Sequence, residues 1–238
     1  DDDLYDDDLY YNSEGDLYEE CEYEYEEGYE IIWEAYLGNI DEVRHIINNN
    51  NKSITLQNDK GDTALIWAAY MNNVLMISTI TSSYHSFLDM SLCLNTQNND
   101  GNTALIWAVY MNNIKAVLAL MIHKDIDLNI QNNDGDTALI IAAREGYLKI
   151  LYILANAGAK LNIQNDAGNT AVIEAVYNEG SLIVEILLNM HVYIYIQNKK
   201  GHTCMSIAEM NEDSEIIDIL SDYESEFMDD YYSRTNYL

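Results

Sequence analysis

The chain is 238 residues long, contains no proline, and carries 41 acidic against 11 basic side chains, which gives a formal net charge of -30 at pH 7. This length suits one elongated domain with terminal tails. The charge argues against nucleic-acid binding, because a negative surface repels phosphates, and no apolar run approaches the about 18 residues of a membrane span.

The chain opens with an acidic, tyrosine-rich segment, residues 1–27, in which the pentamer DDDLY occurs twice. Such a segment buries too little apolar surface to offset chain entropy, so it is predicted to be disordered. We interpret it as a solubilising tail. Binding to a basic surface, or phosphorylation of its tyrosines, remains an alternative. Its acidity is the opposite of a secretory signal.

From residue 57 onward one pattern recurs: Gln-Asn, two residues, Gly, one residue and Thr. Its glycines are Gly61, Gly101, Gly135, Gly168 and Gly201, so successive copies are 40, 34, 33 and 33 residues apart. Each Thr stands where a helix should begin, and its hydroxyl can accept a bond from a first-turn amide. A short apolar helix and a second amphipathic helix follow. A repeated helix pair with this period predicts a solenoid, since only stacking buries both faces.

Two segments of this unit resemble the ankyrin repeat. Gly61–Ala69 (GDTALIWAA) and its copies match the Gly, Thr, Leu and Ala of D-x-x-G-x-T-P-L-H-x-A-A, and Ala157–Asn162 (AGAKLN) matches the later G-A-x-x-N. The resemblance covers about residues 28–222. It implies an all-α ankyrin-repeat solenoid of about six helix-turn-helix units, linked by β-turn or hairpin loops.

The copies depart from the family motif at two positions. Ala, or Cys in the last copy, replaces Pro, and Ile, or Ser in the last copy, replaces His. The Thr–His bonding network of the family is therefore expected to be missing, with stability resting more on apolar packing. The replaced His positions are Ile66, Ile106, Ile140, Ile173 and Ser206.

The unit boundaries follow from the repeat. The expected units are a first cap at 28–60, four units at 61–100, 101–134, 135–167 and 168–200, and a polar last cap at 201–222, with a frayed tail at 223–238. The unit at 61–100 is about seven residues longer than the others. We place this surplus in Thr81–Leu92, which either lengthens the second helix or forms a protruding loop. Such an insertion arises either by neutral drift in a tolerant loop or because it lies near a binding face.

The candidate binding residues are aromatic. The three tryptophans, Trp33, Trp67 and Trp107, take the same place in successive units. A tyrosine follows each after three residues, and Met71 and Met111 follow the last two after four, so these side chains share one side of the first helix. The resemblance implies that this helix lines a concave groove that binds partner proteins. The rings are either an exposed hot spot or core between repeats. The candidate residues are Trp33, Trp67, Tyr70, Met71, Trp107, Tyr110 and Met111.

Two weaker sets accompany them. The tips of the polar turns could contact a partner: Asp59, Lys60, Asp100, Asn133, Asp134, Asp166 and Lys199. Asparagines at a fixed offset before the turns, Asn95, Asn129 and Asn162, resemble residues that a dioxygenase hydroxylates in ankyrin repeats.

We find no sequence pattern for catalysis, metal binding or cofactor binding. His202 and Cys204 lie at a helix start and are interpreted as structural. The three cysteines, Cys21, Cys93 and Cys204, are far apart and predict reduced thiols in a cytoplasmic protein.

The sequence therefore predicts a monomeric, non-enzymatic protein-protein interaction module. The alternatives are an adaptor to a host ubiquitin ligase, a substrate of an asparaginyl hydroxylase, the targeting piece or regulatory subunit of an enzyme, and a charged solenoid without a dedicated partner. Since only residues 223–238 follow the last unit in this sequence, we do not expect a ligase-binding domain among them. The absence of proline and the abundance of Asn, Ile and Tyr resemble ankyrin proteins of large amoebal DNA viruses, which would place the chain in a host cytoplasm.

Overall fold

The computed structural model describes residues 29–49, 54–83 and 87–235, with the side chains at 87–89 and 226–235 left out. The acidic tail predicted at 1–27 lies outside these residues. Within the described ranges the chain forms thirteen helices and no strand, and none of these helices is long and apolar enough to cross a membrane. The helices are α1 (Glu30–Tyr36), α2 (Ile40–Asn49), α3 (Ala64–Tyr70), α4 (Val74–Thr81), α5 (Phe87–Asn95), α6 (Ala104–Tyr110), α7 (Ile114–Met121), α8 (Ala138–Arg144), α9 (Leu148–Asn156), α10 (Ala171–Tyr177), α11 (Ser181–Asn189), α12 (Cys204–Met210) and α13 (Ser214–Thr235).

Twelve of these helices form six pairs, which stack in chain order. The first helices α1, α3, α6, α8, α10 and α12 pack against one another in a row. The second helices α2, α4, α7, α9, α11 and α13 form a parallel row beside them. This arrangement confirms the predicted all-α solenoid, in which each unit touches only its neighbours.

A threonine begins each of the last five first helices, as the sequence predicts. Thr63, Thr103, Thr137, Thr170 and Thr203 have extended backbone angles, and each hydroxyl oxygen accepts a bond from the amide three residues later. The donor–acceptor distances are 3.2 to 3.4 Å. This contact satisfies an amide that has no partner inside the helix, so the repeated Thr sets where each unit's first helix starts.

The apolar core is formed by residues of both rows of helices. Ile66, Ile106, Ile140 and Ile173, which replace the family's His, are at most 3% exposed. Small residues beside them, such as Ala68 and Ala142, are fully buried and let neighbouring helices approach closely. Apolar packing is thus one source of stability, as expected from the missing histidines.

A second source of stability is polar and was not anticipated from the sequence. The amide nitrogen of the Gln57 side chain donates to the Gly61 carbonyl (2.6 Å) of its own turn and to the Gln97 carbonyl (2.9 Å) of the next unit. Gln97, Gln131 and Gln164 repeat both bonds. The expectation that stability rests mainly on apolar packing is therefore incomplete, because this glutamine ladder connects five successive turns.

The main chains of the turns are also hydrogen-bonded to one another. Asp166 N donates to Asp134 O at 2.9 Å, and the same bond recurs between the other neighbouring turns. At Gly135, whose φ is +75°, a Cβ atom would lie 2.6 Å from Asp166 N. Glycine is required here both by the left-handed backbone and by this close approach.

The surplus in the second unit forms a helix of its own. The helix pair of this unit, α3 and α4, ends at Thr81, and the additional helix α5 begins at Phe87. Cys93 and Leu94 of α5 are buried in the common core. The insertion therefore neither lengthens the second helix nor forms only a loop, because its second half, from Phe87 onward, belongs to the separate helix α5.

The C-terminal end differs from the frayed tail expected after residue 222. Helix α13 begins at Ser214 and continues to Thr235. No glycine or proline interrupts this stretch, so nothing in its composition ends the helix at the predicted boundary. The first part of α13 packs on α11 and α12 and forms the last layer of the stack.

Candidate functional site

Six aromatic rings form a continuous strip across the first three units. Consecutive ring centroids are 5.3 to 5.9 Å apart, and all five contacts are tilted or edge-to-face. Contacts within a helix alternate with contacts between helices, because α1, α3 and α6 are adjacent in the stack. This aromatic strip consists of Trp33, Tyr36, Trp67, Tyr70, Trp107 and Tyr110.

The rings of the strip are neither fully exposed nor fully buried. All six residues are intermediate in exposure, and Trp67, Trp107 and Tyr110 pack partly against the core. Met71, which ends α3, is 48% exposed, while Met111 is half-buried. The rings are therefore neither pure core nor freely exposed, and whether they form a hot spot stays a prediction. Each ring is thus partly covered by the stack and partly accessible to solvent.

The strip stops at the fourth unit, where the equivalent residue of α8 is the fully buried Ile141. Beyond it lies a groove with a volume of about 990 Å³. Trp107, Tyr110 and Met111 contribute the aromatic and apolar side of its lining. The polar lining comes from the turns and from α8 and α10, and includes Asp100, Asp134, Asp136, Arg144, Glu145, Asp166 and Glu174.

The floor of this groove is a satisfied polar cluster. Arg144 Nη1 lies 2.7 Å from Asp136 Oδ2, and the Asp136 side chain is only 2% exposed. The other Asp136 oxygen accepts a bond from Asn165 at 2.9 Å. Glu174, which is also buried, accepts bonds of 2.9 Å from both Asn165 and Asn169. These carboxylates are thus held by donors from their own and neighbouring units.

Burial and charge shift the protonation of two groups in this cluster. Burial raises the pKa of Tyr110, whose hydroxyl oxygen is 3.2 Å from Asn132 Nδ2. Burial alone would lower the pKa of Arg144, but the adjacent Asp136 carboxylate outweighs it, and the pKa is raised above its usual value. Arg144 therefore carries a fixed positive charge at the floor of the groove.

Sequence reasoning missed this cluster. None of Asp136, Arg144 and Glu174 is among the candidate residues predicted from the sequence. The signal was present in the replacement of an apolar residue by Glu174 inside an otherwise apolar helix, since a buried carboxylate requires donors nearby.

The predicted turn-tip residues are all exposed. Asp100, Asn133, Asp134 and Asp166 border the groove, so part of this weaker set lies beside the C-terminal end of the aromatic strip. Asp59, Lys60 and Lys199 do not line it.

The asparagines predicted as hydroxylation sites connect successive units. The side-chain oxygens of Asn95, Asn129 and Asn162 accept bonds from main-chain amides in the following unit, at 2.8, 2.7 and 3.0 Å. Their fixed offset in the repeat therefore has a structural role.

The Cys204 thiol is unsuited to nucleophilic catalysis. Burial raises the pKa of Cys204 to about 12, so its thiol is protonated at neutral pH. Its sulfur donates a bond to the Ile194 carbonyl at 3.2 Å. Among the described residues, no group of three or more His, Cys, Asp or Glu side chains is placed to bind a metal ion.

Comparison with known proteins identifies the family. The family model for ankyrin repeats in three copies matches residues 31–132, 94–165 and 115–198. The chain belongs to the ankyrin repeat family. Ankyrin repeats are generally non-catalytic scaffolds for protein-protein interaction, and the helix pairs described above are its repeats.

Solved ankyrin repeat structures resemble most of this chain. An ankyrin repeat domain from Acinetobacter baumannii AYE is 25% identical, with a TM-score of 0.74 over 83% of this chain and 99% of its own. The ankyrin repeat protein EF0377 is also 25% identical, with a TM-score of 0.72 over 83% of this chain and 98% of its own. No curated protein sequence is significantly similar.

Proposed function

We propose that this ankyrin domain binds a partner protein through its aromatic strip and the adjoining turn tips. The observation that carries the proposal is the strip itself, six half-exposed rings in unbroken contact over three repeats. Tryptophan and tyrosine supply much of the binding energy at protein interfaces, because they bury a large area at little entropic cost.

A comparison within the chain supports a role beyond packing. Ile141 takes the Trp position in the fourth repeat and is fully buried. An aliphatic residue is therefore sufficient for the core at this place. The tryptophans at the same place in earlier repeats are larger than the core requires and remain partly exposed, so that their additional aromatic area can serve an interface.

The test is a variant in which Trp33, Trp67 and Trp107 are all replaced by Ile, the residue that the fourth repeat itself uses. Because Ile fits this position, we expect the variant to remain folded by circular dichroism. The control removes two exposed apolar side chains from second helices, Leu118→Ala and Tyr152→Ala, which are 48% and 57% exposed.

Both variants and the parent chain would be used to capture proteins from a cell lysate. We expect the parent and the control to capture a specific protein. The strip variant should bind that protein at least tenfold more weakly. Equal capture by the strip variant and the parent would show that the strip is not the binding surface.

We propose further that the domain is monomeric and works in the cytoplasm. Cys204 is buried and forms no disulfide, which suits a reducing compartment. The exposed face of α13 carries acidic residues such as Glu215, Asp218 and Asp222, which suits a polar end to the stack.

The hydroxylase-substrate role competes with the observed contacts. An enzyme acting on Asn129 must first separate it from Lys160 N, which it bonds at 2.7 Å. Opening that contact costs stability, so we favour the interaction scaffold.

A further inference from the structure

We infer that the partner presents a basic segment, and that a lysine or arginine side chain of it enters the groove beside Trp107 and Tyr110. The inference rests on the proposed function and specifies the chemistry of the partner at one end of the aromatic strip.

The rim of the groove carries uncompensated negative charge. Asp100, Asp134 and Asp166 come from three successive turns and are exposed. None of the three takes part in an ion pair with another described residue. Three separate turns thus direct carboxylates to one groove without supplying a cation for them.

The single cation among the described lining residues is already engaged. Arg144 lies 2.7 Å from Asp136 and 3.5 Å from Glu145. The deeper carboxylates, Asp136 and Glu174, have amide donors as well. The floor is therefore satisfied internally, and the rim carboxylates are the groups left for a partner. They attract a positive charge and repel an anion.

The opposite wall of the groove suits the same ligand. Trp107 and Tyr110 line it with their centroids 5.9 Å apart. A Lys ammonium or Arg guanidinium over such rings gains a cation–π attraction in addition to its pairing with carboxylates. A purely apolar side chain would instead strip water from the rim carboxylates and leave them without partners.

The volume of the groove, about 990 Å³, is open to solvent along the turns. It is large enough for a long side chain together with the main chain on either side of it. A basic segment of a protein, in extended form or in a loop, therefore fits better than an isolated metal ion, since the described residues hold no suitable cluster of ligands.

The test uses an arginine–glycine peptide as the probe and its citrulline counterpart, which keeps the shape but removes the charge. One variant neutralises the rim, Asp100→Asn, Asp134→Asn and Asp166→Asn. Asparagine already stands in an exposed turn tip at Asn133, so these changes suit the turns. The matched control neutralises three carboxylates of the last helix pair, Glu215→Gln, Asp218→Asn and Asp222→Asn, and therefore has the same net charge.

Isothermal titration at physiological ionic strength measures the affinities. We expect the parent to prefer the arginine peptide over the citrulline peptide. The rim variant should bind the arginine peptide about tenfold more weakly, since the carboxylates that attract its positive charge are lost. The control should stay within about twofold of the parent. Equal losses in both variants would reduce the binding to general attraction by an acidic protein and overturn the inference.

The two proposals fail in different ways. Suppose that the protein captured from lysate does not bind the tryptophan-to-isoleucine variant but binds the rim variant as tightly as the parent. The proposed interaction surface is then supported, and the inference of a basic partner segment is wrong. If capture is unchanged by the tryptophan-to-isoleucine variant, the proposed function itself fails.

Discussion

Replacing Gly135 by alanine tests whether the contact between turns holds the repeats together. Its φ of +75° makes any side chain costly, by about 1 kcal/mol. The added Cβ would also lie 2.6 Å from Asp166 N and 2.8 Å from Asp166 Oδ1. The turns must then move apart, which weakens the 2.9 Å bond from Asp166 N to Asp134 O and the 2.9 Å bond from Gln131 to the next turn.

Each of these two bonds contributes about 1 kcal/mol. We therefore expect Gly135→Ala to lower the free energy of unfolding by about 3 kcal/mol in all. The control is Gly201→Ala. Gly201 has a φ of +78° but nothing within 4 Å of an added Cβ, so only the backbone cost of about 1 kcal/mol applies.

Urea denaturation followed by circular dichroism measures both variants. The informative quantity is the excess loss in Gly135→Ala over Gly201→Ala, about 2 kcal/mol. If the two variants are destabilised equally, the close approach of the turns adds nothing to stability, and the reasoning from the added Cβ is refuted.

Two further predictions concern side chains at the turns. Gln131→Ala should lower the free energy of unfolding by about 1–2 kcal/mol in a urea titration, because two hydrogen bonds are lost. The control, Gln197→Ala at the end of the ladder, should change the free energy of unfolding by less than about 0.5 kcal/mol. Equal losses in the two variants would contradict the ladder. Burial raises the pKa of Asp62 above its usual 3.8, so its contribution to stability is present below pH 3.8 and is lost as the pH rises through the folded-state pKa. Asp62→Asn, which keeps the acceptor for Asn98, should therefore gain stability relative to the parent as the pH rises from about 3 to about 7, and a difference that does not vary with pH in urea titrations would disprove this.

The repeat pattern predicted the architecture because its signals are local. A threonine hydroxyl caps a helix through an amide three residues away, as at Thr137, and this needs no knowledge of the rest of the fold. The same holds for the aromatic strip. Once Trp67 and Tyr70 are placed on one helix at a spacing of three, their common side follows from helix geometry.

The burial of the aromatic rings and the position of the groove could not be predicted in the same way. Asp136, Arg144 and Glu174 belong to two repeats, and their contacts depend on how far one helix pair is shifted against the next. The glutamine ladder was missed for a related reason. The acceptors of Gln131 are carbonyl groups, which every residue has, so no residue type in the sequence marks them.

That choice of acceptor has a consequence for how the chain varies. Each glutamine recognises only main-chain oxygens of its own and the following turn. Every copy of the unit therefore offers the same carbonyl acceptor to the glutamine of the preceding copy, whatever side chains it carries. Duplication or loss of a whole copy leaves every such junction intact, so the number of units can change during evolution while the exposed side chains diverge freely toward new partners.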